Sequence, residues 1–281
     1  MPPFSARRRA ELALLTVALL WGLTFPLIKT AMGETRPFTF LALRFGTGFV
    51  LVMPFVRLSP PPRSSWGAGA ALALLLGASY WAQTYGLVFT TATRSAFLSG
   101  LSVVLVPLVY PFVTRRPPEA AALAGAALAV AGLYVFTDLR AGGLNRGDAL
   151  TLLGAFAYSI YLIALERSGR RHRYRDLVSL QIVILAVLFL PFAVFERAPT
   201  AWDSPGLWIP VAGTALVLAG TMLLQTRFQK DTAATRAAVI LTAEPVFAAG
   251  FAYLLLGEAP TAVQGAGAGL ILAGILAVAR R

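Results

Sequence analysis

Residues 12–32 read LALLTVALLWGLTFPLIKTAM, with Lys29 the only charged residue. A helix rises about 1.5 Å per residue, so this run is long enough to cross the ~30 Å hydrocarbon core of a bilayer. Lipid offers the backbone no hydrogen-bond partners, so such a run crosses as a helix. Nine similar runs follow, at about Phe38–Val56, Gly67–Phe89, Arg94–Thr114, Glu119–Thr137, Gly147–Leu165, Leu177–Phe195, Leu207–Phe228, Ala234–Leu256 and Thr261–Ala279. Breaks such as Ser59-Pro60-Pro61-Pro62-Arg63 and Arg115-Arg116-Pro117-Pro118 separate most of them, and a short Thr90–Thr93 turn joins the third to the fourth. The pattern predicts an all-α integral membrane protein with ten transmembrane helices.

Composition agrees. The 281-residue chain is 58% hydrophobic and 13% charged, against ~45–50% and ~25% in soluble domains. Its mean hydropathy is +0.74. One soluble core cannot hide that much apolar surface, so the lipid bilayer is the expected solvent and partner. Arg7-Arg8-Arg9 before an apolar run resembles a signal peptide, but a convincing cleavage site is missing and the run is long enough to span. It reads as an uncleaved first helix. Ten crossings put both termini on one side. The loops on the other side hold Arg36, Arg94, Arg140, Arg146 and Arg197, and the helices hold Lys29 and Arg44; the remaining 17 of the 24 Lys+Arg lie on the side of the termini. The positive-inside rule therefore predicts cytoplasmic N- and C-termini.

The same features exclude several functions. Net charge is +12, yet the arginines sit between apolar runs and not on one face of a soluble domain, so nucleic acid is not the expected partner. The chain has no cysteine, and its one histidine, His172, lies in Arg170-Arg171-His172-Arg173. Disulfides, thiolate or histidine metal clusters and a histidine triad are excluded. No GxxxxGK[ST] loop is present, and no cluster of Asp, His or Ser–Lys sits at one membrane depth, so the chain reads as a non-enzyme without cofactor or metal.

The halves repeat. Ala92-Thr93-Arg94 recurs as Ala234-Thr235-Arg236, Gly125-Ala126 as Gly267-Ala268, and Ala131-Gly132 as Ala273-Gly274, all at an offset of 142. Each half, 1–138 and 139–281, then holds five helices. An odd number makes the second enter the membrane from the opposite side, as inverted repeats do in many secondary transporters, whose substrate sites lie near the midplane. Gly125, Gly132, Gly265, Gly267, Gly269 and Gly274 permit close helix contact, within a monomer or a weak homodimer.

Trp21-Gly22 with Phe25 resembles the WG-x-x-F pattern of the drug/metabolite transporter superfamily. Arg44-Phe45 after Pro37, Gly147-Asp148, Glu244-Pro245-Val246, Gly257-Glu258 and the Gly-rich tenth helix resemble the family in the same order. The resemblance implies a ten-helix EamA-type carrier that exports amino acids, aromatic and apolar ones among them, or related metabolites across the bacterial inner membrane by alternating access. One departure is that Pro107 follows Arg94 by thirteen residues whereas Pro245 follows Arg236 by nine, which leaves the register of the two halves open there.

Polar groups inside spans usually face the bundle interior. The candidate substrate-binding residues are Trp21, Tyr80, Gln83, Ser99, Tyr158, Tyr161 and Gln225, aromatic walls with a few hydrogen-bonding groups for an amphipathic solute. Tyr80, Gln83 and Thr84 share a helix face, as do Tyr158 and Tyr161. Ordinary interhelical packing is the alternative for each. Lys29 reads as a snorkelling residue and Arg44 as a structural ion pair or helix tie. Glu244, the only acid well inside a span, is a candidate for a coupling proton or for a hydrogen bond to backbone freed by Pro245. Trp66, Trp202 and Trp208 read as belt residues. Rival functions are a broad drug/cation efflux carrier and a non-transporting receptor or assembly subunit.

Overall fold

A computed structural model describes residues 6–56, 60–137, 145–196, 199–256 and 261–279. No strand occurs among them. The first half holds α1 (Ala6–Ala31), α2 (Pro37–Val52), α3 (Arg63–Phe89), α4 (Ala92–Gly100), α5 (Ser102–Thr114) and α6 (Ala120–Thr137). The second holds α7 (Arg146–Gly169), α8 (Tyr174–Leu188), α9 (Leu190–Glu196), α10 (Pro205–Phe228), α11 (Ala234–Leu241), α12 (Glu244–Leu256) and α13 (Ala262–Ala279). Eight helical stretches of the described residues have the length and apolar composition to cross a membrane, and the apolar stretches Ala120–Val135 and Ala262–Ala277 are shorter. The expected Gly257-Glu258 motif lies outside the described residues.

Local sequence sets the helix starts. Pro37 opens α2, where a missing N–H costs nothing, and the amides of Phe38 and Thr39 donate to the Glu196 carboxylate at 3.3 and 2.9 Å. Asn145 and Asp148 form a reciprocal capping box on α7. Thr91 accepts from the Arg94 amide to cap α4, and Ser204 from the Gly206 amide to cap α10.

The fourth and ninth sequence runs are each broken. The first breaks at Leu101, between α4 and α5, and the second at Thr242–Ala243, between α11 and α12. Leu101 and Ala243 are 142 apart, the repeat offset, so the breaks correspond even though the prolines do not. Pro107 lies within α5, while Pro245 sits in the first turn of α12, where its missing amide is tolerated. The unequal proline spacing therefore does not shift the register of the halves.

Packing exchanges elements between halves. The first helix of each half packs against the third membrane-length stretch of the other, α1 on α10 and α7 on α3, and α6 packs along α13. In that last pair a side chain on Gly132 would meet the Gly267 carbonyl at 2.7 Å, and one on Gly274 would meet the Gly125 carbonyl at 2.7 Å. Each contact becomes the other on adding or removing 142. The small residues let the two backbones touch, which is how helices associate where no water drives them together.

Candidate functional site

α7 anchors the centre of the bundle. Its Gly154, Ala155 and Tyr158 front a cavity of about 50 Å³. A water needs about 10–15 Å³ of such space, so several fit. α1 contributes Trp21 and Thr24, α3 contributes Ser79, Tyr80 and Gln83, and the two broken helices contribute Ser99 and Gly100 before one break and Ser102 after it, with Leu241 and Glu244 around the other.

The aromatic wall is held from behind. Trp21 meets Tyr158 edge-on at 5.5 Å and donates from Nε1 to Thr221 Oγ1 at 3.1 Å. Tyr158 stacks on Tyr161 at 5.6 Å and accepts from Gln225 Nε2 at 2.6 Å. Gln83 Nε2 donates to Ser99 Oγ at 3.0 Å, tying α3 to α4. Tyr80 packs edge-on against Phe45 at 5.4 Å, and the Arg44 guanidinium lies over its ring at 4.7 Å.

The structure thus brings Trp21, Tyr80, Gln83, Ser99 and Tyr158 to one cavity. Tyr161 and Gln225 do not line it. They are 1% and 2% exposed, and Tyr161 donates its hydroxyl to Gln181 at 3.1 Å. They lie behind Tyr158, Tyr161 stacked on its ring and Gln225 donating to its hydroxyl. Thr24, Ser79 and Ser102 also line it. Small residues in an apolar run carry no distinguishing signal of their own.

Arg44 is fully buried, and its three side-chain nitrogens have no hydrogen-bond partner among the described residues. The expected ion pair is absent there; the Tyr80 ring takes its place. A buried unpaired guanidinium is costly. Arg44→Met should therefore leave the melting temperature of the purified protein unchanged or higher, and a clear fall would show that the charge ties α2 in place. Lys29 does more than snorkel. Its Nζ donates to the Leu87 and Thr90 carbonyls at 2.7 and 2.8 Å, closing the C-terminal end of α3.

Glu244 is the only formally charged residue lining the cavity among the described residues. Its carboxylate has neither a hydrogen bond nor an ion pair there, so the expected bond to freed backbone is not formed.

Ion pairs that cross between the halves lie at both ends of α7. At its N-terminus, Asp148 is fully buried and meets Arg94 Nη2 at 2.7 Å, while accepting from the Thr90 hydroxyl at 3.0 Å. At its C-terminal end, Glu166 accepts from the Ala234 amide at 2.9 Å. Two residues further along α11, Arg236 meets Glu119 at 2.6 Å and Glu11 at 3.8 Å. From Asp148 to Glu166 is about 27 Å of helix at 1.5 Å per residue, and the cavity residues lie between. Arg94 and Arg236 are the repeated arginines.

The EamA-like transporter family matches this chain twice, over residues 8–137 and 145–280. An uncharacterized transporter of Archaeoglobus fulgidus is 32% identical over 279 residues, covering 98% of this chain and 87% of that protein. The threonine/homoserine exporter RhtA of Escherichia coli strain K12 is 28% identical over 261 residues, covering 89% of this chain and 81% of RhtA. A solved crystal structure superimposes with a TM-score of 0.80 at 21% identity, covering 97% of each chain, which shows a shared fold. The twofold match over nearly the whole chain, together with the apolar helices around a central cavity, places this protein in the EamA-like transporter family: it is a multi-pass membrane transporter and not an enzyme.

Proposed function

We propose that the chain is a secondary carrier that exports amino acids or closely related metabolites across the cytoplasmic membrane by alternating access, with ten crossings in two inverted five-helix repeats and both termini in the cytoplasm. The observation that carries this reading is the position of the cavity, near the middle of α7 with cross-half ion pairs toward either end. Opening one end requires parting one set of pairs while the other holds, which is what rocking of two repeats about a central site demands. The contacts of α6 with α13, which interchange at the repeat offset, support a two-fold relation between the halves. RhtA supplies the solute class, since it exports threonine and homoserine.

The test is transport by the purified chain in liposomes. Labelled threonine, homoserine and phenylalanine should move under an imposed gradient. Failure of all of them under every gradient would refute the amino-acid assignment. A second reading, efflux of organic cations, draws on the lone Glu244 carboxylate among aromatic rings; movement of cationic dyes in place of amino acids would select it.

A further inference from the structure

The two half-helices that start at the cavity differ in chemistry. Ser102 opens α5 and Glu244 opens α12, at positions 142 apart, and both side chains face the cavity. Ser102 is 4% exposed, and its hydroxyl has no partner among the described residues. Glu244 has none either, and no lysine or arginine lines the cavity there. Repeat-equivalent positions thus present an acid on one side and a neutral donor on the other.

Each side suits one charge. A carboxylate on the wall of a small, largely apolar cavity is poorly solvated and favours a cation beside it. The rings of Trp21 and Tyr158 in the same cavity also favour a cation, while the Tyr80 ring is already occupied by Arg44. At α5, the first-turn amides carry the positive end of the helix dipole, with the Ser102 hydroxyl beside them, and such a site favours an anion. The site is thus built for a solute that carries both charges close together.

We propose that the cavity binds an α-amino-acid zwitterion between the two half-helix starts, with its ammonium on Glu244 and its carboxylate on Ser102 and the first turn of α5. This rests on the amino-acid reading above and assigns its recognition to two residues. Glu244 is then a substrate-binding residue. A residue that only capped α12 would stabilise the fold without sorting solutes by charge.

The experiment is calorimetric binding to the full chain in nanodiscs, with two sets of probes. One is threonine, 1-amino-2-propanol and 3-hydroxybutyrate; the other is phenylalanine, phenethylamine and 3-phenylpropionate. Each set pairs an amino acid with its analogue lacking the carboxylate and its analogue lacking the ammonium. One charge-assisted hydrogen bond corresponds to about 10–100-fold in affinity. Wild type should bind a parent amino acid about that much more tightly than either analogue. Glu244→Gln should lower affinity for the amino acid and the amine by that factor and leave the carboxylic acid unchanged. Ser102→Val should weaken the amino acid and the acid and spare the amine. Glu244→Asp keeps the charge, so it should retain the preference for amines even if affinity falls, which separates recognition from misfolding. Unchanged amino-acid binding in Glu244→Gln, with loss of pH-driven accumulation alone, would assign Glu244 to coupling and overturn the proposal. Equal wild-type affinity for amine and amino acid would overturn its carboxylate half. A wild type that binds neither amino acid would sink the amino-acid reading itself, and this assignment with it.

Discussion

Gly22→Ala is expected to destabilise the protein by about 1–3 kcal/mol, the cost of forcing a methyl group into a filled space, and to cut transport at least tenfold. A Cβ at Gly22 would lie 2.8 Å from the Ala248 amide nitrogen, 2.9 Å from Phe247 Cβ and 3.1 Å from the Glu244 carbonyl. None of these is the far end of a flexible side chain, so the strain cannot be relieved by a rotamer change. α1 must instead back away from the first turn of α12. Trp21 and Glu244 sit on either side of this contact and both line the cavity, so the shift widens the site. Gly250→Ala is the control. It lies in α12 with open space around it, and alanine in a helix is worth up to about 1 kcal/mol over glycine. The measurements are thermal unfolding in detergent and initial rates in liposomes. Equal effects of the two substitutions would show that the close crossing is not what matters.

Asp148→Ala should cost about 3–5 kcal/mol, the range for removing one partner of a buried ion pair. The carboxylate is fully buried and serves three groups: Arg94, the Thr90 hydroxyl and the Asn145 amide at 2.8 Å. Removal leaves the Arg94 charge without this partner, a donor unsatisfied and α7 without half its capping box. Arg7→Ala breaks a pair in which the arginine side chain is 42% exposed, so it should stay within about 0.5 kcal/mol. Because Arg94 and Asp148 belong to different halves, Asp148→Ala should also bias the carrier toward opening at that end of α7. A cysteine placed at Ser79, in this otherwise cysteine-free chain, would then react faster with a membrane-impermeant thiol reagent from that side. Unchanged reactivity would limit the pair to a structural role.

Several features were legible without coordinates. The helix-forming runs follow from hydropathy, because lipid solvation depends on which residues are present and hardly on how they pack. Trp21, Tyr80, Gln83, Ser99 and Tyr158 were nameable as polar or aromatic groups in spans, where polarity is expensive and so seldom incidental. The repeated arginines stood out at their offset of 142. Their partners did not: Asp148 is 54 residues from Arg94, and Glu11 is 225 from Arg236. Nothing in a one-dimensional pattern names an acid that distant.

Tyr161 shows the same limit at short range. It shares a helix face with Tyr158, and helical periodicity cannot say which part of that face meets a void and which meets Gln181. The break at Leu101 carries no proline to mark it. By itself, then, the sequence determined a membrane protein of apolar helices with a repeated half, because solvation and charge placement are properties of composition along the chain. Only the tertiary structure decided that two half-helices begin at one cavity, that Glu244 stands there without a partner among the described residues, and that cross-half ion pairs lie toward both ends, because these depend on which surfaces of distant helices come within a few ångströms of each other.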